Sequence, residues 1–548
     1  MLNDSTHQPK VFIVNLAAGL WVHSSVEARL ASDLSEQGFD VSLISCDGFM
    51  EGKCSVRAAR KSSQGKIMRK VDCRDCQFTS KLMASSTNHR NLKTVYLGNH
   101  VALGDKEKAR RIAKGAMALR DPLAFEDEGT PLGKIASYEV TLHHKILNGK
   151  FIDDAAIELE SSILDSYLTG VAIRNLLKEQ PEEVTFIVRS PEYARHHVIS
   201  LEAAKAGHRV IYLGRSYNIS ESSSHAIAWD WSSFRSLNPV TNEFDLTKSQ
   251  EVPSQRSLRR IEAHRHSLLT SKSHRVYSKS KKGNGLEVVR QLDLRKESKT
   301  VLMALSSTDE VIALRTIGAF SEVRYPGVVF ASQVEWVKET ISWAKARPEV
   351  DLVIRVHPRE FSGQRNKTRS SMADVWESLL SDLPSNVKLN HPDQGISLYD
   401  LFTIVDVIST GWSSAGVEAV AEGIPLVLYD AGLPGYPPRL GRSGSSAEEY
   451  FRNLEAALEE EPDRESNRQG AMAWLDLQMN VGTFRVGGRL FESKRYAFPR
   501  WLTLAFEGLD RYFYFVYRPL DMVIGKLRQS ETKKLTPILS GEQTSFFR

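Results

Sequence analysis

Two consecutive strand–loop–helix units occupy residues 351–430, and each places polar residues directly after an apolar strand. The first strand, residues 352–356, runs into His357, and the second, residues 405–408, runs into the Gly/Ser-rich turn at 409–416. Repeated units of this kind build open parallel sheets, in which ligands bind just outside the carboxyl ends of the strands. A Gly/Ser-rich turn that leads into a helix also presents backbone amides to an anion. The sequence therefore predicts a phosphate-binding edge in the second half of the chain.

The short motifs of this region, taken in order, resemble those of the capsule-polysaccharide-biosynthesis group of bacterial glycosyltransferases. They are Arg-Val-His-Pro at 355–358, Ser-Leu-Tyr-Asp-Leu at 397–401, Gly-Trp-Ser-Ser-Ala-Gly-Val-Glu-Ala at 411–419 and Gly-Ile-Pro at 423–425. Segments 306–310 and 333–336 are similar to further recurring elements of these proteins. The resemblance covers residues 298–430 well and the N-terminal half loosely. It implies an α/β fold of the GT-B type, in which two Rossmann-like domains face each other.

The resemblance also implies a nucleotide-sugar donor that is held mainly by the C-terminal domain. His-Pro and Ser-Ser elements recur in bacterial transferases that use CMP-activated sugars, so we expect a CMP- or UDP-sugar. Residues 355 and 357 share one face of a strand because they are two positions apart, and both side chains can donate to phosphate oxygens. The predicted donor-binding residues are Arg355, His357, Tyr399, Gly411, Ser413, Ser414 and Glu418.

Some of these residues also have a plainer interpretation. His357 and Ser413 can simply cap a strand end and a helix, and Tyr399 can pack beside the helix that it precedes. Glu418 lies about one helical turn beyond the Gly/Ser-rich turn, where the resemblance implies that it accepts hydrogen bonds from ribose hydroxyls. Because the motifs occur together and in order, we favour the donor site.

Two adjacent carboxylates, Asp309 and Glu310, follow the apolar strand at 300–304 and a pair of serines. In an inverting transfer the acceptor hydroxyl needs a general base, and a nearby anion stabilises a developing oxocarbenium ion. We therefore predict that Asp309 or Glu310 acts in catalysis. The alternative is a helix cap, in which case His23 is the next catalytic candidate.

The N-terminal half opens as a Rossmann-like domain. An apolar strand at 11–16 leads through a loop at 17–23 into an amphipathic helix, and a similar strand follows at 184–188. In a fold of this type the loops after such strands face the acceptor. The predicted acceptor-side residues are Gly19 and His23 in the first loop and Arg189 and Arg195 after the later strand.

The length of 548 residues exceeds what one hydrophobic core supports, so we predict several domains. Residues 1–247 form the Rossmann-like acceptor domain, and the polar segment 248–299 is the linker. Residues 300–441 form the nucleotide-sugar-binding domain. Residues 442–548 form a helical tail that crosses back to the N-terminal domain.

All four cysteines of the chain fall within a short stretch of the first domain. Four thiolates at such spacing can hold a zinc ion in a tetrahedron, and a cytoplasmic setting disfavours stable disulfides. Free thiols or a pair of disulfide bridges are the alternatives. The predicted zinc ligands are Cys46, Cys54, Cys73 and Cys76.

Composition gives no sign of nucleic acid or of a membrane span. The 72 basic and 67 acidic residues leave a net charge of only +5. No apolar run approaches the roughly 20 residues that a membrane span needs. We expect a cytoplasmic protein, because nucleotide sugars are made there. The aromatic and basic tail at 498–528 suits packing between the domains or contact with the inner face of the membrane, and Pro519 favours packing.

The leading hypothesis is a glycosyltransferase that adds a sugar to a growing surface polysaccharide such as capsule or O-antigen. Its acceptor would be a glycan or a lipid-linked glycan. Three alternatives stay open. They are an isomerase similar to UDP-sugar 2-epimerases, a polyol-phosphate transferase of the teichoic-acid type and a non-catalytic assembly protein.

Overall fold

Two sheets with mainly parallel strands organise the protein, which is described by a computed structural model. The structure describes residues 10–52, 54–60, 66–85, 92–221, 224–235, 253–271, 276–319, 329–363, 367–432, 435–486 and 530–543, and residues 244, 505, 508 and 509. Within these residues, no helix has the length and apolar character needed to cross a membrane.

The N-terminal sheet is parallel except at one edge. Its strands are β1 (Lys10–Asn15), β2 (Asp40–Ser45), β3 (Lys93–Tyr96), β4 (Thr185–Arg189), β5 (Arg209–Arg215), β6 (His225–Asp230) and, much later in the chain, β13 (Phe484–Arg485). Their order is β13-β6-β5-β4-β1-β2-β3, and β6 pairs antiparallel with both of its neighbours, β5 and β13. In the register of the sheet, Ile13 pairs with Leu43 on one side and Ile187 on the other. The central strands β1, β2 and β4 are almost completely buried, because both faces of the sheet are covered there.

The C-terminal sheet is parallel throughout. Its strands are β7 (Lys299–Ala304), β8 (Val350–Arg355), β9 (Val387–Asn390), β10 (Val407–Thr410), β11 (Leu426–Leu428) and β12 (Arg442–Ser443). Their order is β12-β11-β10-β7-β8-β9. The chain builds outward from β7 to β9 and then returns to the other side of β7 at β10. A reversal of this kind opens a crevice at the carboxyl ends of β7, β8 and β10.

Helices cover both sheets. In the N-terminal half they are α1 (Trp21–Glu36), α2 (Ser55–Arg60), α3 (Lys66–Ser85), α4 (Leu103–Met117), α5 (Leu132–His144), α6 (Asp153–Lys178) and α7 (Ala194–Lys205). They continue as α8 (Gln255–Leu269), α9 (Gly285–Gln291), α10 (Thr308–Thr316), α11 (Gln333–Lys345), α12 (Ser371–Leu379), α13 (Leu398–Leu401), α14 (Ala415–Val420), α15 (Ala447–Glu459), α16 (Arg464–Asp476) and α17 (Thr536–Leu539).

The two Rossmann-like halves meet along α5 and α10. Tyr138 and Leu142 of α5 pack against Ala313 and Ile317 of α10 in one apolar cluster. The buried Lys145, just after α5, donates hydrogen bonds to carbonyl oxygens of the loop that follows β8. The α/β, GT-B-like fold that the sequence predicts is therefore confirmed.

The C-terminal extension divides between the two halves. Helix α15 packs beside β10, β11 and β12, and α16 packs against α8 and α14. The chain then pairs with the N-terminal sheet, where Phe484 of β13 lies opposite Ala226. The aromatic segment at 498–528 falls almost entirely outside the described residues. Its packing and its membrane contact stay predictions, as do the domain boundaries.

Candidate active site

A cavity of about 490 Å³ lies at the crevice where the strand order of the C-terminal sheet reverses. Both halves of the chain line it, because Tyr217 and Ile219 follow β5 of the N-terminal sheet. Helix α8 contributes His264 and Arg265, and the segment after α16 contributes Gln478. The predicted donor-binding residues that line this cavity are Arg355, His357, Tyr399, Ser413, Ser414 and Glu418.

His357 is a neutral hydrogen-bond donor at this cavity. Its Nδ1 accepts a hydrogen bond from the backbone N–H of Arg359 at 3.2 Å. Burial, with the nearby cations Arg359 and Arg355 adding to it, lowers the pKa of His357 to about 4. Because Nδ1 is an acceptor, the remaining proton lies on Nε2. An imidazole in this form can donate to a phosphate oxygen.

Arg355 is a buried cation whose hydrogen-bond partners are uncharged groups. Its guanidinium donates to the side-chain oxygen of Asn390 and to the backbone carbonyl of Ile396, both of which are uncharged. Within the part of the chain that the structure describes, Arg355 forms no ion pair. Burial lowers the pKa of Arg355 to about 10, which leaves it charged at neutral pH. A desolvated cation of this kind favours an anionic ligand.

Two hydroxyl groups donate hydrogen bonds to the carboxylate of Glu418. Tyr399 donates a hydrogen bond to Oε2 at 3.0 Å, and Ser414 donates to Oε1 at 2.8 Å. Burial raises the pKa of Glu418, and the two hydroxyls oppose that shift. Each carboxylate oxygen keeps a further lone pair, so Glu418 can still accept a hydrogen bond from a ligand hydroxyl.

The Gly/Ser-rich turn leads into α14, and its two serines line part of the cavity wall. Ser413 Oγ accepts the backbone N–H of Ala415 at 3.2 Å, so its hydroxyl has the capping function that was the plainer interpretation. Gly411 does not line the cavity, which differs from the prediction. A Cβ at Gly411 would lie 2.4 Å from the Tyr429 ring, so this glycine permits close packing instead.

The two predicted catalytic carboxylates occupy different environments. Asp309 is fully buried, and its Oδ2 lies 2.6 Å from a guanidinium nitrogen of Arg359. Glu310 lies 3.4 Å from Arg359 Nε, keeps about one third of its side chain exposed (34%) and accepts a hydrogen bond from Trp412. Neither residue lines the cavity, although Trp412 does. Asp309 is therefore closed to an acceptor, and its ion pair joins α10 to the loop after β8.

Three acceptor-side candidates, Gly19, Arg189 and Arg195, do not line the cavity. The backbone N–H of Gly19 donates to Cys76 Sγ at 3.2 Å, which places α3 over the end of β1. Arg189 is buried in an ion pair with Glu27 at 3.2 Å, and Arg195 donates to Ser55 at 2.9 Å. His23 lies in α1, and its side chain is outside the described residues. These contacts join residues that are distant in sequence, and the acceptor-side roles of Gly19, Arg189 and Arg195 stay predictions.

Electrostatic interactions among Cys46, Cys54 and Cys76 show that these three thiols lie near one another. Burial raises the pKa of Cys46 and of Cys76 to about 12, so both are neutral thiols. In the described part of the chain, only His143, His144 and Glu158 bring three ligand atoms within 4.8 Å of one another. The zinc site at Cys46, Cys54, Cys73 and Cys76 stays a prediction.

A second cavity, of about 230 Å³, shares Tyr217 and Trp412 with the first. It contains Glu192, which the sequence did not single out. The signal was present, because Glu192 follows β4 as His357 follows β8. Burial raises the pKa of Glu192 to about 7.

No family model and no curated protein matches the chain. Among solved structures, the β-Kdo 2,4-transferase KpsC of Thermosulfurimonas dismutans is 15% identical, over 55% of this chain and 80% of that chain, with a TM-score of 0.32. The UDP-GlcNAc 2-epimerase of Neisseria meningitidis is 11% identical, over 86% and 98%, with a TM-score of 0.26. A glycosyltransferase of Rickettsia africae is 10% identical, over 93% and 99%, with a TM-score of 0.27. Likenesses this distant carry no argument about chemistry.

Proposed function

We propose that the protein is a glycosyltransferase that moves a sugar from a nucleotide-sugar donor to a glycan acceptor. One observation carries this proposal. A single interdomain cavity combines Arg355, a cation that forms no ion pair with any described residue, with the neutral donor His357 and the carboxylate Glu418. A nucleotide sugar offers the complementary groups, which are an anionic phosphate, ribose hydroxyls and a sugar.

Each wall of the cavity has its own function in this proposal. Arg355 and the Nε2–H of His357 bind the phosphate, and they neutralise the charge that develops on the leaving nucleotide. Glu418 accepts hydrogen bonds from the ribose, and Tyr399 with Ser414 fixes its orientation. Glu310 does not line the cavity itself, but it accepts a hydrogen bond from Trp412, which does.

The wider context follows from the same chemistry. We infer that the donor is a CMP- or UDP-sugar, that the C-terminal domain binds it and that the N-terminal domain presents the acceptor. The acceptor would be a glycan or lipid-linked glycan of the cell surface, such as capsule or O-antigen. The cytoplasm, where such donors are made, would be the site of action.

A donor screen tests the proposal. The protein is incubated with UDP-, GDP- and CMP-sugars, and the products are separated by chromatography. Free nucleotide is the expected product, and it should increase when a glycan acceptor is added. An interconverted sugar nucleotide without nucleotide release would indicate an epimerase and would contradict transfer. Absence of any product together with absence of nucleotide binding would contradict a nucleotide-sugar enzyme of either kind.

A further inference from the structure

The second cavity has the composition of a carbohydrate site. Aromatic rings make up most of its wall, and they come from Tyr138, Tyr212, Tyr217, Trp229, Phe234 and Trp412. Among its described lining residues, Glu192 is the one carboxylate. Aromatic surfaces with a few placed polar groups are typical of small-molecule sites, and flat rings fit the apolar faces of a sugar.

The second cavity lies beside the first, in which we propose that the donor binds. Its wall includes α5 and the ends of β4, β5 and β6 from the N-terminal half, and Leu314 of α10 from the other half. The side chains of Tyr217 and Trp412 line both cavities. The two cavities are therefore neighbours.

Glu192 is held in this cavity by an unusual turn. Ser190 has a φ of +50°, a left-handed conformation that a serine adopts only at some cost. Its N–H donates to the carbonyl of Leu213, and its carbonyl accepts the N–H of Tyr193. This turn directs the chain after β4 so that Glu192 lines the cavity.

We propose that the second cavity is the acceptor-sugar site and that Glu192 is the general base of the transfer. This inference rests on the proposed function. The Glu192 carboxylate takes the proton of an acceptor hydroxyl, and the oxygen of that hydroxyl forms a bond to the anomeric carbon of the donor. The bond from this carbon to the phosphate oxygen breaks, and the nucleotide leaves with the electron pair. A single displacement of this kind inverts the anomeric configuration.

The electrostatics of Glu192 suit a base that works near neutral pH. Burial raises the pKa of its carboxyl group to about 7, while Arg215, Ser190 and Arg189 oppose the shift. Asp309 and Glu310 are instead ion-paired with Arg359. The titratable and charged groups that face Glu192 are Arg189 and Tyr193 near it in sequence, Tyr212 and Arg215 of β5 and Tyr138 of α5.

The test compares Glu192→Gln with wild type, using the donor that releases nucleotide in the screen. We expect turnover to fall by about 10² to 10⁴-fold, because that is what a general base contributes. The affinity for the free nucleotide, measured by titration calorimetry, should stay within about twofold. In wild type the rate should increase as the pH rises through about 7, and this limb should be missing from the variant.

Glu126→Gln is the matched control, because Glu126 is exposed and lines neither cavity. Its turnover should match that of wild type. If Glu192→Gln does not fold, Glu192→Asp and the anomeric configuration of the wild-type product, determined by proton NMR, take its place. We expect reduced turnover and an inverted product.

Each contrary result has a distinct meaning. Near-normal turnover in a folded Glu192→Gln or Glu192→Asp variant would overturn the base assignment and leave the proposed transferase intact. A retained anomeric configuration would do the same. A wild-type protein that binds and turns over none of the UDP-, GDP- and CMP-sugars would instead overturn the proposed function on which this inference rests.

Discussion

At the scale of single residues, two His-Pro pairs of similar local structure lie in different places. His357 and His391 each precede a proline, and each accepts the N–H two residues later through Nδ1. His357 lines the first cavity, of about 490 Å³, whereas His391 does not. Local sequence therefore predicts the conformation of both histidines, and only the position in the sheet places one of them at the cavity.

This pair supplies a matched experiment for the donor site. We expect His357→Ala to weaken nucleotide binding by about 10- to 100-fold, since a hydrogen bond to a charged group contributes about 1.5–3 kcal/mol. His391→Ala removes the same capping contact and should leave the affinity unchanged. Calorimetric titration with CMP and UDP measures both. Equal affinities for the two variants would remove His357 from the site.

At the scale of elements, α10 and the loop after β8 are joined by a buried ion pair. Asp309 is fully buried, accepts from the hydroxyl of Ser307 and pairs with Arg359. The same guanidinium donates to the backbone carbonyl of Leu142 on α5 at 3.0 Å. Arg359 therefore links both halves of the molecule, and Asp309 holds it in place.

Removing one member of this buried ion pair should lower the free energy of unfolding more than breaking an ion pair at the surface. We expect Asp309→Asn to lower the free energy of unfolding by about 3–5 kcal/mol, because it leaves Arg359 partly buried without its closest charge partner. Lys388→Gln breaks an exposed pair with Asp293 and should cost less than about 1 kcal/mol. Denaturant unfolding followed by circular dichroism compares them. Similar losses would show that the buried pair has no special structural role.

The cysteines give a further test at this scale, because Cys46 directly follows β2 and Cys76 lies in α3, which packs beside that strand. Neutral thiols with a pKa of about 12 should alkylate slowly at pH 8, so Cys46 and Cys76 should react only after unfolding. Mass spectrometry of native and unfolded samples measures the difference. One bound zinc per chain, lost on Cys73→Ser, would instead support the predicted four-thiolate site.

The same scale explains what could be predicted from the sequence. The predicted donor residues fall within one stretch of alternating strands and helices, and six of the seven line one cavity. The partners of the other residues are distant in sequence. Cys76 meets Gly19 across 57 positions, and Arg359 meets Asp309 across 50. No local pattern records such contacts, so the sequence alone does not show that Asp309 is ion-paired or that Gly19 contacts Cys76.

At the scale of the whole molecule, both halves of the chain line the first cavity, of about 490 Å³. The C-terminal sheet supplies the polar groups, and Tyr217 with helix α8 closes the cavity from the other side. Arg265 of α8 pairs with Glu422 beyond α14, which fastens the linker helix to the wall of the cavity. A nucleotide bound there would contact both halves, so we expect it to raise the thermal midpoint of the entire chain.

The most direct test is calorimetric titration of CMP, UDP and GDP into wild type, Arg355→Gln and Arg442→Gln. Arg442 is a suitable control because it pairs with Glu460 at the surface. At least one nucleotide should bind wild type and Arg442→Gln with one site per chain and equal affinity. Arg355→Gln should bind it at least about tenfold more weakly, since it removes a charge-assisted contact to phosphate. Absence of binding to wild type, or an affinity that Arg355→Gln does not change, would contradict a nucleotide site in this cavity.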